Sequence, residues 1–135
     1  MGAEGTFRGE VNLGRRRSVK PAMNRAGVRA EELCADLLRR AGLRVLARNW
    51  RCRHGEIDLV AEEGRTLVFA EVRYRRNERY GGAAESVTAA KRARLVAAAR
   101  LYLSRRPDVD CRFDVLLLDA LEASRVQWIR NAFTA

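Results

Sequence analysis

Residues 55–73 read GEIDLVAEEGRTLVFAEVR, two alternating apolar and polar runs on either side of a Glu63-Gly64 turn. Strand side chains alternate between faces, and a glycine-bearing turn between two such runs marks a hairpin. Pairing the runs about a two-residue turn at Glu63-Gly64 sets Val60 against Leu67, Asp58 against Phe69 and Glu56 against Glu71. One face then gathers Ile57, Leu59, Ala61, Val68, Ala70 and Val72, a continuous apolar set. The other carries Glu56, Asp58, Val60, Leu67, Phe69, Glu71 and Arg73. In this register Asp58 and Glu71 are diagonal neighbours, about 7–8 Å apart at Cα. Like charges crowded on one face destabilise a sheet unless something compensates them. A hard divalent cation such as Mg²⁺ or Mn²⁺ does so through oxygen ligands, and the backbone carbonyl of Val72 offers another donor. The same pattern also describes an ordinary half-buried hairpin in which Glu71 and Arg73 form a solvated ion pair.

The rest of the chain sets this hairpin inside one α/β domain. From Arg25 to Ala41 the apolar residues Ala30, Leu33, Cys34, Leu37, Leu38 and Ala41 recur at steps of three and four, the mark of an amphipathic helix. Gly42 ends it. Glu31 falls on the border of this stripe, and Glu32 points away. Strands are expected over Leu43–Arg51, Glu56–Glu62 and Arg65–Tyr74, with a turn at Arg53-His54-Gly55. A second helix is expected from Val87 to Ser104, with Leu95, Val96, Ala99, Tyr102 and Leu103 inward and Lys91, Arg92, Arg94 and Arg100 outward; Pro107 closes that region. Phe113–Leu118 reads as a strand buried on both faces, and Arg125–Ile129 as a last edge strand. The order αβββαβ(β) implies a mixed sheet flanked by helices, over residues 24–135. Residues 1–23 hold four of the ten glycines and few large apolar side chains, and are expected to be a disordered basic tail.

Charge narrows the partners. The formal net charge is +10, of which +3 falls on residues 1–23, so the domain is basic without its tail. Such a balance points to nucleic acid, with an acidic protein or an acidic membrane surface as alternatives. Of 27 basic residues only Lys20 and Lys91 are lysines; so strong an arginine bias also follows from genome composition. Cys34, Cys52 and Cys111 are odd in number and far apart, which suggests no disulfide framework. Cys34 and Cys111 are expected as small buried hydrophobes. Cys52 and His54 have no second pair to complete a zinc site. No apolar run is long enough for a membrane span and no apolar h-region opens the chain. The cytoplasm is the expected compartment.

An acidic residue, a hairpin turn, Glu-x-basic on an apolar strand and a preceding helix with a glutamate resemble the PD-(D/E)XK nuclease superfamily. The chain resembles more closely the YraN family of uncharacterised bacterial proteins, related to archaeal Holliday-junction resolvases. The resemblance rests on AEELCADLL at 30–38, NWRCRHGEIDLV at 49–60 and LVFAEVRYR at 67–75. It continues with GGAAESVTAAKRARLVAAARLYL at 81–103, CRFDVLLLD at 111–119 and IRNAF at 129–133.

The resemblance implies a restriction-endonuclease-like fold and a Mg²⁺- or Mn²⁺-dependent endonuclease acting on DNA, including branched or junction DNA. It assigns Glu31 to the helix-borne acidic position, Asp58 and Glu71 to the metal carboxylates, and Lys91 to a basic position near phosphate. Arg73 departs from the family's usual lysine, which in the superfamily positions or deprotonates the attacking water. Arginine stays protonated and cannot be that base, yet it can stabilise developing charge on phosphorus. Arg51, Arg53, Arg75, Arg76, Arg79, Lys91, Arg92 and Arg94 are the expected contacts to the nucleic-acid backbone, with Arg75–Gly82 as a mobile substrate flap or an ordinary polar connection. Kinship with resolvases also suggests a homodimer, since a four-way junction has two-fold symmetry. The competing functions are a noncatalytic nucleic-acid-binding module and an adaptor for an acidic protein or membrane.

Overall fold

In the computed structural model the described residues are 24–75, 87–106 and 108–135. The expected tail, Pro107, Arg76, Arg79 and all of the expected flap but Arg75 lie outside them. Helix α1 spans Asn24–Arg40, strands β1 Arg44–Cys52, β2 Gly55–Glu63 and β3 Thr66–Tyr74, helix α2 Ala89–Leu103, and strands β4 Cys111–Leu118 and β5 Val126–Phe133. A short 3-10 turn at Ala123–Arg125 leads into β5. The five strands form one sheet in the order β1-β2-β3-β4-β5. Its β3–β4 pair is parallel and the others antiparallel. Parallel neighbours need a crossover, and α2 supplies it. This mixed α/β architecture, in the order αβββαββ, is consistent with a restriction-endonuclease-like fold.

Each helix covers one face of the sheet. Ala30, Cys34, Ala35 and Leu38 of α1 pack on Leu59, Ala61, Val68, Ala70, Leu116 and Leu118. The expected stripe thus holds, with Ala35 added and Ala41 left exposed. Gly42 ends the helix with φ +95. The Leu43 amide donates to the Leu38 carbonyl at 3.0 Å and the Gly42 amide to the Arg39 carbonyl at 3.0 Å, a Schellman closure. Leu95, Ala98 and Ala99 of α2 pack on Ile57, Val60, Leu67, Phe69 and Phe113. Thr88 caps α2 by accepting from the Lys91 amide. No helix among the described residues is long and apolar enough to cross a membrane.

Three expectations are corrected. The hairpin register is shifted by two residues: Val60 pairs with Phe69, Ala61 with Val68 and Glu63 with Thr66, so the turn residues are Gly64 and Arg65. Gly64, at φ +61, takes the first central position, where a type II′ hairpin turn calls for glycine. A shift of two preserves the face of every residue while changing its partner. Ile57 is the second correction: it packs with Val60 beneath α2, not with Leu59 and Ala61. The second hairpin face is therefore no solvated surface; Val60, Leu67 and Phe69 are each 0% exposed there. Third, Cys111 is exposed, while Cys34 is buried as expected; Cys111 opens β4 ahead of its buried stretch.

Candidate functional site

An open pocket of about 640 Å³ lies where the C-terminal end of β3 meets the starts of β2, α1 and α2. Its wall brings together Glu31 from α1, Asp58 from β2, Glu71 and Arg73 from β3, and Lys91 and Arg94 from α2. Val72 and Arg75 also line it. The shifted register explains the convergence: Leu59 and Ala70 make the last paired rung, and Asp58 and Glu71 are the next residues beyond it, where the Val72 amide turns to the Asp58 side chain. The Glu63-Gly64 turn would have set Asp58 and Glu71 a diagonal apart. Asp58 Oδ2 accepts from the Val72 amide at 2.8 Å, and the Glu71 charge acts directly on Asp58. In an extended strand a residue's N–H and C=O point to the same side, so the Val72 carbonyl, like its amide, leaves β3 on the Asp58 side.

The electrostatics of this pair are those of two acids that resist joint ionisation. Burial, and then the charge of Glu71, push Asp58 well above the usual carboxylate range, against the hydrogen bond from Val72. Burial raises Glu71 as well, opposed by the positive charges of Lys91 and Arg73. Glu71 Oε2 lies 3.8 Å from an Arg73 guanidinium nitrogen and 3.9 Å from Lys91 Nζ. Arg73 is only 9% exposed, so its charge acts where water screens it little. Glu31 is also raised by burial, offset by Asn49 and Arg48. The Asn49 amide nitrogen donates to Glu31 Oε1 at 2.9 Å, and Arg48 approaches the same oxygen at 4.0 Å. Beneath them burial and the Asp58 and Glu31 charges push the Cys34 thiol up to about 12. That value belongs to an inert packing cysteine.

These donors fit a hard cation. Among the described residues no three His, Cys, Asp or Glu side chains form a ready metal cage. Mg²⁺ rarely uses such a cage; it takes one or two carboxylates and keeps water or phosphate in its other positions. Asp58, Glu71 and the Val72 carbonyl make a donor set of that kind. Its charge crowding is relieved equally by a shared proton or by a divalent ion.

Not every expected residue joins the pocket. Arg92 donates to the Val87 carbonyl at 3.0 Å and lies over the Phe133 ring, 5.6 Å from its centroid. Arg51 pairs at 3.4 Å with Glu56, which itself lines the pocket, and Arg53 is exposed in the adjoining turn. Arg48 and Asn49 were missed from the sequence. The available signal was an asparagine in the middle of a strand-like run.

Away from the pocket, Asp114 on β4 is 0% exposed. It accepts from Arg112 Nε at 3.0 Å, Trp128 Nε1 at 2.9 Å and the Asn131 amide at 2.9 Å. Arg112 and Arg130 also reach Glu63, whose carboxyl is lowered first by the Arg112 hydrogen bond. This network joins β4, β5 and the hairpin end. It was invisible in the apolar reading of Phe113–Leu118.

Fold and pocket together define an α/β protein whose sheet ends in paired carboxylates ringed by cationic side chains. The family model for the uncharacterised protein family UPF0102, the YraN family, matches residues 30–118, and the chain belongs to that family. It is 50% identical over 109 residues to a UPF0102 protein of Dechloromonas aromatica (strain RCB), covering 81% of this chain and 88% of that protein. It is 52% identical over 111 residues to one of Ectopseudomonas mendocina (strain ymp), covering 79% and 93%. A UPF0102 protein of Nitrosococcus oceani is 48% identical over 120 residues, covering 85% and 97%.

Proposed function

We propose that the protein is a divalent-metal-dependent endonuclease of PD-(D/E)XK type, with DNA as substrate. The observation that carries this reading is the Asp58–Glu71 pair, set in a pocket that Arg73, Lys91 and Arg94 also line, the first two within 4 Å of Glu71. Carboxylates beside guanidinium and ammonium groups suit a phosphodiester held together with a cation. Asp58, Glu71 and the Val72 carbonyl would hold Mg²⁺ or Mn²⁺. Bound there, the ion supplies charge stabilisation at a phosphoryl oxygen and acidifies water. Arg73 remains charged throughout and stabilises the charge that develops on phosphorus. Glu31, held from behind by Asn49, orients water on the α1 side. Lys91, Arg94 and Arg75 contact the backbone, which positions a substrate without reading its sequence. Structure-selective or nonspecific binding follows, and branched DNA is among the substrates to be tried.

The test is Mg²⁺- or Mn²⁺-dependent cleavage of duplex, single-stranded and four-way-junction DNA. Asp58→Ala and Glu71→Ala should each abolish cleavage while leaving the protein folded. Equal nicking by the wild type and both variants means a contaminating nuclease and sinks the assignment. A noncatalytic DNA-binding module is the second reading, favoured by Arg73, which cannot act as a base. Cleavage that rises in Arg73→Lys shows the arginine limiting catalysis. DNA binding that weakens steeply with salt, without cleavage, supports the second reading. Salt-insensitive binding argues against both.

A further inference from the structure

Asn49 combines two demands that few side chains meet. Among the described residues the non-glycine positions with positive φ are Asn49 and Asn131, each at φ 52. Left-handed backbone within a strand strains most residues, while asparagine tolerates it. Asn49 also donates its amide nitrogen to Glu31 Oε1 at 2.9 Å. A carboxylate only accepts, so a donor is required there. Glycine would meet the backbone demand but supply no donor. Glutamine would supply the donor and resist the backbone. Aspartate would suit the backbone and repel Glu31.

The place of Asn49 in the sheet adds a second observation. Arg48 pairs with Leu59 and Trp50 with Ile57, so Asn49 and Asp58 share the rung between. Around that rung the alternation of faces breaks: Leu59 packs under α1, whereas Ile57 packs with Val60 under α2. The irregular rung lets Asp58 enter the pocket while Asn49 reaches Glu31 on α1.

We infer that Asn49 is a positioning residue of the site: its left-handed backbone and its carboxamide together fix Glu31 beside Asp58. This rests on the metal-site reading above. The side chains that orient metal-site groups from behind typically carry about 10-fold in affinity or rate.

Mn²⁺ binding to the full chain, followed by the electron paramagnetic resonance of free Mn²⁺, tests the inference without recourse to activity. Asn49→Gly keeps the permitted φ and removes only the donor. It should weaken Mn²⁺ binding about 10-fold, as should Glu31→Ala, and the double variant should bind no more weakly than Glu31→Ala alone. A structural role unrelated to Glu31 would give losses that multiply, which overturns the inference. Wild-type Mn²⁺ affinity in Asn49→Gly, with binding lost in Asp58→Asn, also overturns it while the metal-site reading stands. No Mn²⁺ binding by the wild type defeats that reading and takes the inference with it. Should Asn49→Gly fail to fold, the side-chain amide resonance of Asn49 in the metal-free protein serves instead. It should move on Glu31→Ala, and an unmoved resonance refutes the link.

Discussion

Asp58 and Asp114 occupy matching places on opposite halves of the sheet. Each lies on the strand beside an edge strand, and each faces an asparagine held at φ 52, Asn49 on β1 and Asn131 on β5. Their surroundings then diverge. Asp114 is sealed from solvent and accepts from Arg112, Trp128 and the Asn131 amide. Asp58 opens on a pocket, takes one hydrogen bond from Val72, and faces a second acid in Glu71. Asn131 gives its backbone amide to its aspartate; Asn49 gives its side chain to Glu31 on the neighbouring helix. One carboxylate is satisfied by the protein, and the other is left to be satisfied by something else. Incomplete satisfaction is costly in a fold and useful in a site.

The comparison breaks most visibly at Asp114. Asp114→Ala leaves Arg112 with Glu63 alone and Trp128 and the Asn131 amide without their acceptor, and should destabilise the protein by about 3–5 kcal/mol in urea unfolding. A loss under 1 kcal/mol would mean that the network is not holding β5. Divalent cation should act only on the other half. At a free concentration of 100 times Kd, Mg²⁺ or Mn²⁺ should stabilise the wild type by about 2.7 kcal/mol and Asp58→Asn hardly at all. A cation effect of equal size in both would place the binding elsewhere.

Asp58→Asn should have the opposite sign to Asp114→Ala. In metal-free protein it removes one of two crowded acids and should stabilise by about 0.5–2 kcal/mol, the range of stabilising single substitutions. Destabilisation instead would show that Asp58 is structural, like Asp114. The smallest effect is the pH slope. Asp58 and Glu71 have folded pKa values above their usual ones, so the folded state binds more protons and stability falls as pH rises from the ordinary carboxylate range through the raised values. Glu63 is lowered, so its contribution is present above its ordinary pKa and lost as pH falls through the lowered one. Without metal, Asp58→Asn should flatten the higher-pH decline and leave the acid-side loss in place, as read from urea unfolding at several pH values.

Much of the site was legible early because the legible part is periodic. Alternation assigned Leu59, Ala61, Val68 and Ala70 to one face, and that assignment survived a register error because the error was an even number of residues. The helical stripe likewise placed Glu31 on a border, where it now lines the pocket. Alternation failed at Ile57, where an irregular rung changes the face. It also said nothing of Arg112, Trp128 and Asn131, whose meeting at Asp114 depends on β5 pairing with β4.

The sequence by itself determined the elements, their order, the basic surface and the family. Those properties reside in local periodicity, turn chemistry and residue identity. Only the tertiary structure decided that Asp58 and Glu71 meet in one pocket, that Lys91 joins Arg73 beside Glu71, and that Asn49 supports Glu31. Those contacts bridge strands and helices far apart in the chain, and a single turn residue, Gly64 at φ +61, sets the register on which the hairpin pair depends. The GEIDLV and EVR segments carried the right side chains from the start, and the turn between them decided which ones meet.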